Sequence, residues 1–525
     1  MPVRRTSRGL LLTLAAVLAL AGCSSVDGNG RYAGDAVPTK PGAPAPTTTA
    51  PAQPTISPVT FEDCTAVIRP QVRDSPGGDR PLSFGCGRLR VPLDYRDPSR
   101  KAIDLLLVRV RLAGQQKRIG SLVVNPGGPG ASGADAAIWL GLSLPTDVLK
   151  RFDVVGFDPR GVGLSAPVEC VSDQLKDQSL QLDPDARDAF AVQAKLAGQV
   201  SSNCVARYGD DLQHYNTEET ARDLDLVRQA VGDTRLTYLG YSYGTRLGSV
   251  YAQLFPKRVR ALVLDGAVDP KAGELASAQT QAAGFERAFD QFAGDCKTRN
   301  AACLIGPDPR ATVTRILAEA RRSPIPGGSG GRKATAGPVL LAIVSALYDR
   351  GDWAELESAL ADADNGNSSG LFTLADRYNE RDDKGHYTNL VDANTAINCA
   401  DTAEKVPDAT VQRALTSWRK QYPLFGSSLA LGLLTCQQWR APREPLPAVR
   451  AAGAPPVLVI GTVNDPATPY ASAKVLARTL ASARLLTWRG EGHTAYPKTR
   501  CVTAAVDAYL VNLKLPAANA TCAAS

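Results

Sequence analysis

The chain has 525 residues, 44% of them hydrophobic and 21% charged. Those shares lie close to the ~45–50% and ~25% of ordinary globular proteins, which allows a large packed core and excludes global disorder. The formal net charge is +7, and Arg4, Arg5 and Arg8 carry three of those charges; losing them with an N-terminal signal leaves +4. That charge is too mild and too dispersed for a nucleic-acid-binding surface.

Residues 1–22 read as an export signal. A basic start is followed by the 12-residue apolar stretch Leu10–Ala21, shorter than the ~20 residues that a membrane-spanning helix needs. The stretch ends in Leu20-Ala21-Gly22-Cys23, which resembles a bacterial lipobox, in which the chain is cut before the cysteine and its thiol is acylated. Lipid on Cys23 anchors a protein to a membrane without spanning it. Residues 23–60 are then a spacer: Pro41-Gly42-Ala43-Pro44-Ala45-Pro46-Thr47-Thr48-Thr49 has no large apolar side chain with which to build a core.

Without Cys23, ten of the 11 cysteines remain, an even number that in an exported chain favours disulfides over metal ligands. Connectivity is open at this level. Pairing of neighbours gives Cys64–Cys86, Cys170–Cys204, Cys296–Cys303, Cys399–Cys436 and Cys501–Cys522. No closely spaced Cys or His pair offers a zinc site, and no metal or cofactor is implied.

Downstream, compact apolar runs end repeatedly in Gly, Asp or Asn. They are Ser121–Asn125, Phe152–Asp158, Leu236–Gly240, Ala261–Asp265, Pro456–Gly461 and Arg484–Trp488. Such runs, separated by helix-length segments, predict a mostly parallel sheet covered on both faces. Ile103–Arg111 alternates at its end and reads as an exposed edge strand with Arg109 and Arg111 outward. Between Asp265 and Pro455 about 190 residues carry helical patterns instead, with Phe285, Phe289 and Phe292 at i, i+4, i+7 and a second apolar stretch from Val339 to Leu347. The expectation is a largely helical cap inserted above the sheet, interrupted by the glycine-rich loop 326–331.

A serine hydroxyl becomes a useful nucleophile when a histidine takes its proton and an acid orients that histidine. Gly240-Tyr241-Ser242-Tyr243-Gly244 follows a strand and precedes a plausible helix, the setting of a nucleophile elbow. Among three histidines, His493 follows the last strand, whereas His214 precedes the serine and His386 lies in the cap. Asp465, in the loop after Val457–Gly461, is the favoured acid; Asp265, which ends the preceding strand, is its rival. Thr468 can brace the acid's loop or simply form its turn. Two backbone N–H groups should stabilise the oxyanion: that of Tyr243 and, from Asn125-Pro126-Gly127-Gly128-Pro129-Gly130, that of Gly128, with Gly127 as the fallback.

Asn125–Gly130, Asp158-Pro159-Arg160-Gly161-Val162-Gly163-Leu164-Ser165 and Gly240–Gly244 together resemble the prolyl-aminopeptidase-like α/β-hydrolases. The chain is more closely similar to the secreted actinobacterial tripeptidyl aminopeptidases and the mycobacterial cell-envelope carboxylesterase A proteases, over about residues 61–522. It departs from the prolyl enzymes at Asn125, where they usually carry histidine. The resemblance implies an α/β-hydrolase core in two parts, 61–268 and 436–525, around a cap at 269–435. It implies cleavage of short peptides from peptide or protein N-termini without a cofactor, with acidic cap residues such as Asp269, Glu274 or Glu286 holding the substrate ammonium. A carboxylesterase or lipase acting on envelope esters uses the same triad and is the alternative. A binding protein that has lost catalysis has no reason to keep Ser242, Asp465 and His493 in this order. Oligomeric state is not legible.

Overall fold

The computed structural model describes residues 56–299 and 302–524, so the signal, Cys23 and most of the spacer lie outside the described residues. In chain order the strands are β1 (Glu62–Asp63), β2 (Leu82–Pro92), β3 (Ala102–Leu112), β4 (Gly120–Asn125), β5 (Phe152–Phe157), β6 (Leu236–Tyr241), β7 (Val259–Asp265), β8 (Ile325–Pro326), β9 (Lys333–Ala334), β10 (Val457–Asn464), β11 (Ala483–Glu491) and β12 (Thr521–Cys522). Ten of them form one sheet in the order β1-β2-β3-β5-β4-β6-β7-β10-β11-β12, while β8 and β9 make a small hairpin in the cap. The pairs from β1 to β5 are antiparallel, and those from β5 through β4 to β12 are parallel.

Every residue of β4 and β5 is buried because helices cover both sides of the sheet. Side chains alternate between two cores, as the two-residue period of a strand requires. Val123, Val155, Leu262, Leu264, Val457 and Val459 face the helices Thr217–Ala230, Tyr243–Leu254 and Tyr470–Thr479. Leu122, Val124, Val154, Val263, Leu458 and Ile460 face Gly133–Ser143 and Arg500–Asn512.

The cap has a core of its own. Phe285, Phe289 and Phe292 are buried on the long helix Glu274–Arg299, against Val339, Ile343 and Leu347 of the helix Ala336–Leu347 and against Trp353. Burying each such side chain contributes ~1.5–3 kcal/mol. The insertion leaves after β7 and returns at β10, which pairs directly with β7 through Leu458↔Val263 and Ile460↔Asp265. The five disulfides join the neighbouring cysteines, with Cα–Cα separations from 4.9 to 5.8 Å, inside the usual range.

One expectation needs correction. Ile103–Arg111 is no edge: it lies within β3, which pairs with β2 on one side and β5 on the other. Arg109 is half-buried with its guanidinium 4.2 Å from the ring centre of Phe61, while Arg111 donates to the fully buried Asp153 at 3.0 Å. The insertion also packs against the helices Asp173–Leu180 and Ala189–Tyr208. Lys176 on the first of these lies 2.7 Å from Asp392 on the cap helix Leu390–Asp401.

Candidate active site

Chain order reverses between β4 and β6, since the chain leaves β4 for β5 on one side and comes back as β6 on the other. The crevice beyond the carboxyl ends of two such strands is where open α/β sheets bind ligands. Asn125 and Gly240 are register partners there, so the glycine-rich loop and the serine elbow emerge side by side.

Ser242 lies between β6 and the helix Tyr243–Leu254 in a backbone conformation rare for a side-chain-bearing residue, φ 54° and ψ −122°. Its N–H donates to the Asp265 carbonyl at 2.9 Å, and the Ser242 carbonyl accepts from Thr245 Oγ1 at 2.7 Å. The tight turn requires the glycine at 244, where a Cβ would come within 2.8 Å of Asn125 O and Oδ1.

The loop after β11 carries His493, and the loop after β10 carries Asp465; both are buried. His493 Nδ1 lies 2.9 and 3.0 Å from the two oxygens of Asp465. Asp465 also accepts from the N–H groups of Ala467 (3.0 Å) and Thr468 (2.8 Å) and from Thr468 Oγ1 (3.1 Å). Thr468 therefore forms the turn and braces the acid together. His493 Nε2 is buried with no hydrogen-bond partner among the described residues, so its link to Ser242 Oγ is not closed here. Such contacts commonly tighten only when substrate is bound. The imidazole nevertheless borders the elbow: a Cβ on Gly266, next to the Asp265 carbonyl that holds Ser242, would stand 3.0 Å from His493 Cε1.

The rival acid does different work. Asp265 is fully buried, and its Oδ2 accepts the N–H groups of Ala495 (2.9 Å) and Tyr496 (2.8 Å), bracing the chain just past His493. Burial pushes its carboxyl up to about 6 against the pull of those two donors.

Gly127, Gly128 and Gly130 all have positive φ, from 101° to 104°, which only glycine adopts without strain. Gly127 N–H donates to Asn125 Oδ1 at 3.1 Å and is thereby occupied. The N–H groups of Gly128 and Tyr243 make no hydrogen bond among the described residues, which favours Gly128 over Gly127 as the donor toward an oxyanion. Asn125 thus organises the loop in the place of a histidine.

Three contacts escaped sequence reasoning. Asn394 Nδ2 donates to the Pro129 carbonyl at 2.9 Å, placing the helix Leu390–Asp401 over the glycine-rich loop. Thr217 Oγ1 lies 2.6 Å from Tyr243 OH and donates to Asp401, whose carboxyl burial pushes up to about 6. The Tyr348 ring packs against His493. Each joins segments more than a hundred residues apart, except the neighbouring Thr217 and Tyr243, so no spacing signals them.

Of the acidic cap candidates, Glu286 is engaged by Arg310 and the Leu424 N–H, and Asp269 caps the Lys271 N–H. Glu274 keeps a buried Oε2 without a partner, and burial pushes its carboxyl up to about 7. His214 is buried beside Asp94, and His386 lies exposed beside Asp173; among the described residues neither hydrogen-bonds to Ser242. Asp94, His214 and Glu219 converge closely enough to hold a cation, but Arg160 already stands 3.5 Å from Glu219.

Residues 120–337 match the family described as alpha/beta hydrolase fold, and residues 422–522 match the family described as TAP-like protein. The chain is 39% identical over 492 residues to serine protease Hip1 of Mycobacterium tuberculosis, covering 89% of this chain and 91% of that one. This chain belongs to the α/β-hydrolases. This α/β-hydrolase is also 37% identical to carboxylesterase B of Mycobacterium tuberculosis, over 83% of this chain and 86% of that one. To tripeptidyl aminopeptidase of Streptomyces lividans it is 32% identical, over 89% and 86%. With relatives named protease, aminopeptidase and carboxylesterase, the α/β-hydrolase described here is a serine hydrolase.

Proposed function

We propose that this hydrolase is an exported, lipid-anchored aminopeptidase that releases short peptides from peptide or protein N-termini through an acyl-enzyme. The observation that carries the reading is His493, with Nδ1 held by both oxygens of Asp465 and Nε2 left bare beside the serine elbow. Ser242 Oγ attacks the scissile carbonyl carbon as His493 Nε2 takes its proton, and the N–H groups of Gly128 and Tyr243 receive the charge on oxygen. His493 returns the proton to the departing amine. Water, deprotonated by the same imidazole, then releases the acyl peptide and frees the serine.

Relatives named serine protease and tripeptidyl aminopeptidase support peptides over esters, and the relative named carboxylesterase B supports the alternative ester substrate. Glu274 suits a substrate ammonium, because its buried Oε2 lacks a donor. One panel separates the two readings: tripeptidyl and aminoacyl amides against short-chain esters, with wild type, Ser242→Ala and Glu274→Gln. The expected result is turnover of peptide amides, with Glu274→Gln raising KM about tenfold for the amides and leaving ester KM unchanged. Ester turnover with none of any peptide amide overturns the aminopeptidase reading.

Export and anchoring rest on the lipobox-like end at Cys23 and on cysteine pairing, since ten of the 11 cysteines are engaged in disulfides and only Cys23 is left over. Disulfides persist outside the reducing cytosol. Cys23→Ala is expected to move the protein from the detergent phase to the aqueous phase on Triton X-114 partitioning. Recovery of the wild type in the aqueous phase excludes lipid on Cys23.

A further inference from the structure

One residue of the cap, Tyr348, lies directly against His493. Tyr348 follows the cap helix Ala336–Leu347, and its carbonyl accepts the His493 N–H at 2.7 Å. The two rings meet almost perpendicularly, 81° apart with centres separated by 5.1 Å, the edge-to-face arrangement that aromatic quadrupoles favour. Behind it, Tyr348 is held by the Phe285 ring at 5.9 Å and the Tyr378 ring at 5.6 Å, with the two tyrosine hydroxyls 3.2 Å apart.

The next residue adds a second clamp on the same loop. Lys498 Nζ lies 2.8 Å from Asp349 and donates to the His493 carbonyl at 3.1 Å. Backbone contact this close needs glycine before the histidine, since a Cβ on Gly492 would stand 2.8 Å from Tyr348 O. Asp465 fixes Nδ1 but leaves the ring free to tilt about that bond, and the Tyr348 ring blocks the tilt.

We propose that Tyr348 is a positioning residue for His493: its ring and carbonyl hold the imidazole so that Nε2 meets Ser242 when substrate arrives. The inference rests on the Ser242–His493–Asp465 reading. It makes the cap part of the proton-transfer geometry, so that displacing the cap disables chemistry as well as substrate binding.

A small fluorophosphonate that reacts only with an activated serine tests this apart from substrate recognition. Labelling of wild-type Ser242 comes first, and its failure would sink the nucleophile assignment before any variant is compared. Given labelling, Tyr348→Leu should slow inactivation by at least ~10-fold and lower kcat to match with KM within about twofold, because misplacement near 1 Å costs up to ~100-fold. Tyr348→Phe keeps the ring and should retain most of the rate. A Leu variant that is inactivated at the wild-type rate while KM rises makes Tyr348 a wall of the substrate pocket and overturns the proposal. Equal loss in the Phe and Leu variants overturns it too, since the ring would then not be what matters. Should Tyr348→Leu fail to fold by its thermal melt, Gly492→Ala pushes on the same contact from the other side and should slow inactivation equally; a wild-type rate there refutes the clamp.

Discussion

Ser242→Ala is expected to lower kcat for every substrate by about 10⁴- to 10⁶-fold while leaving the melting temperature nearly unchanged. Stability should survive because the strain at 242 is a property of its backbone: alanine meets the same positive φ as serine, and the N–H bond to the Asp265 carbonyl stays. What disappears is the oxygen that forms the acyl bond. His493→Ala should cost about as much, and the double variant little more, because nucleophile and base act as one unit. A residual rate remains from the Gly128 and Tyr243 donors. Active-site titration alongside steady-state kinetics on the three variants checks this, and additive losses would show that Ser242 and His493 do not share a step.

Asp465→Asn is the second large effect, an expected fall in kcat of about 10⁴-fold. An asparagine amide set against Nδ1 either repels the ring N–H or turns the imidazole to the wrong tautomer, and no charge remains to stabilise the imidazolium. Asp265→Asn should behave differently. Both backbone donors from Ala495 and Tyr496 reach the same oxygen, Oδ2, so an amide oxygen can keep them, and activity should stay within about tenfold of wild type. Its signature is in stability. The folded carboxyl sits at about 6 against an ordinary 3.8, so the folded state holds that proton more tightly than the unfolded chain does. The contribution is present in full below about pH 4 and is lost as pH rises through about 6, a change on the order of 3 kcal/mol. Asparagine cannot ionise. Urea unfolding of wild type minus variant, measured at pH 4 and pH 7, should therefore fall by roughly that amount; a flat difference would show that Asp265 is not buried as a strained acid. Loss of turnover in Asp265→Asn with Asp465→Asn unaffected would reverse the two roles.

Some of the architecture was written in short stretches of sequence. β4 to β7 and β10 showed as dense apolar runs because both faces of those strands are covered. β2 did not: Gly85, Gly87, Arg88 and Arg90 interrupt its apolar pattern, and its partners supply the order that its own residues do not announce. β3 looked like an edge because two arginines suggest water, yet Phe61 and Asp153 are what those arginines meet.

The elbow at Ser242, the histidine after the last long strand and the cysteines that pair with their neighbours were legible because each depends on a turn or a loop of a few residues, or on chain order. The roles of Asp465 and Asp265 depend on more than chain order. Asp265 ends β7 and Asp465 follows β10, its neighbour in the sheet, and only the packed loops show Asp465 against Nδ1 and Asp265 on the backbone past His493. Gly128 over Gly127 likewise turned on one side chain, Asn125 Oδ1, taking up one of two neighbouring N–H groups. Tyr348 and Asn394 reach the site from an insertion of about 190 residues whose own helical pattern says nothing of what lies beneath it. Sequence by itself determined the class of chemistry, since a nucleophile's surroundings are set within a few bonds of it. The orientation of the base and the donors depends on contacts between distant segments, which exist only once the sheet and its cap have packed together.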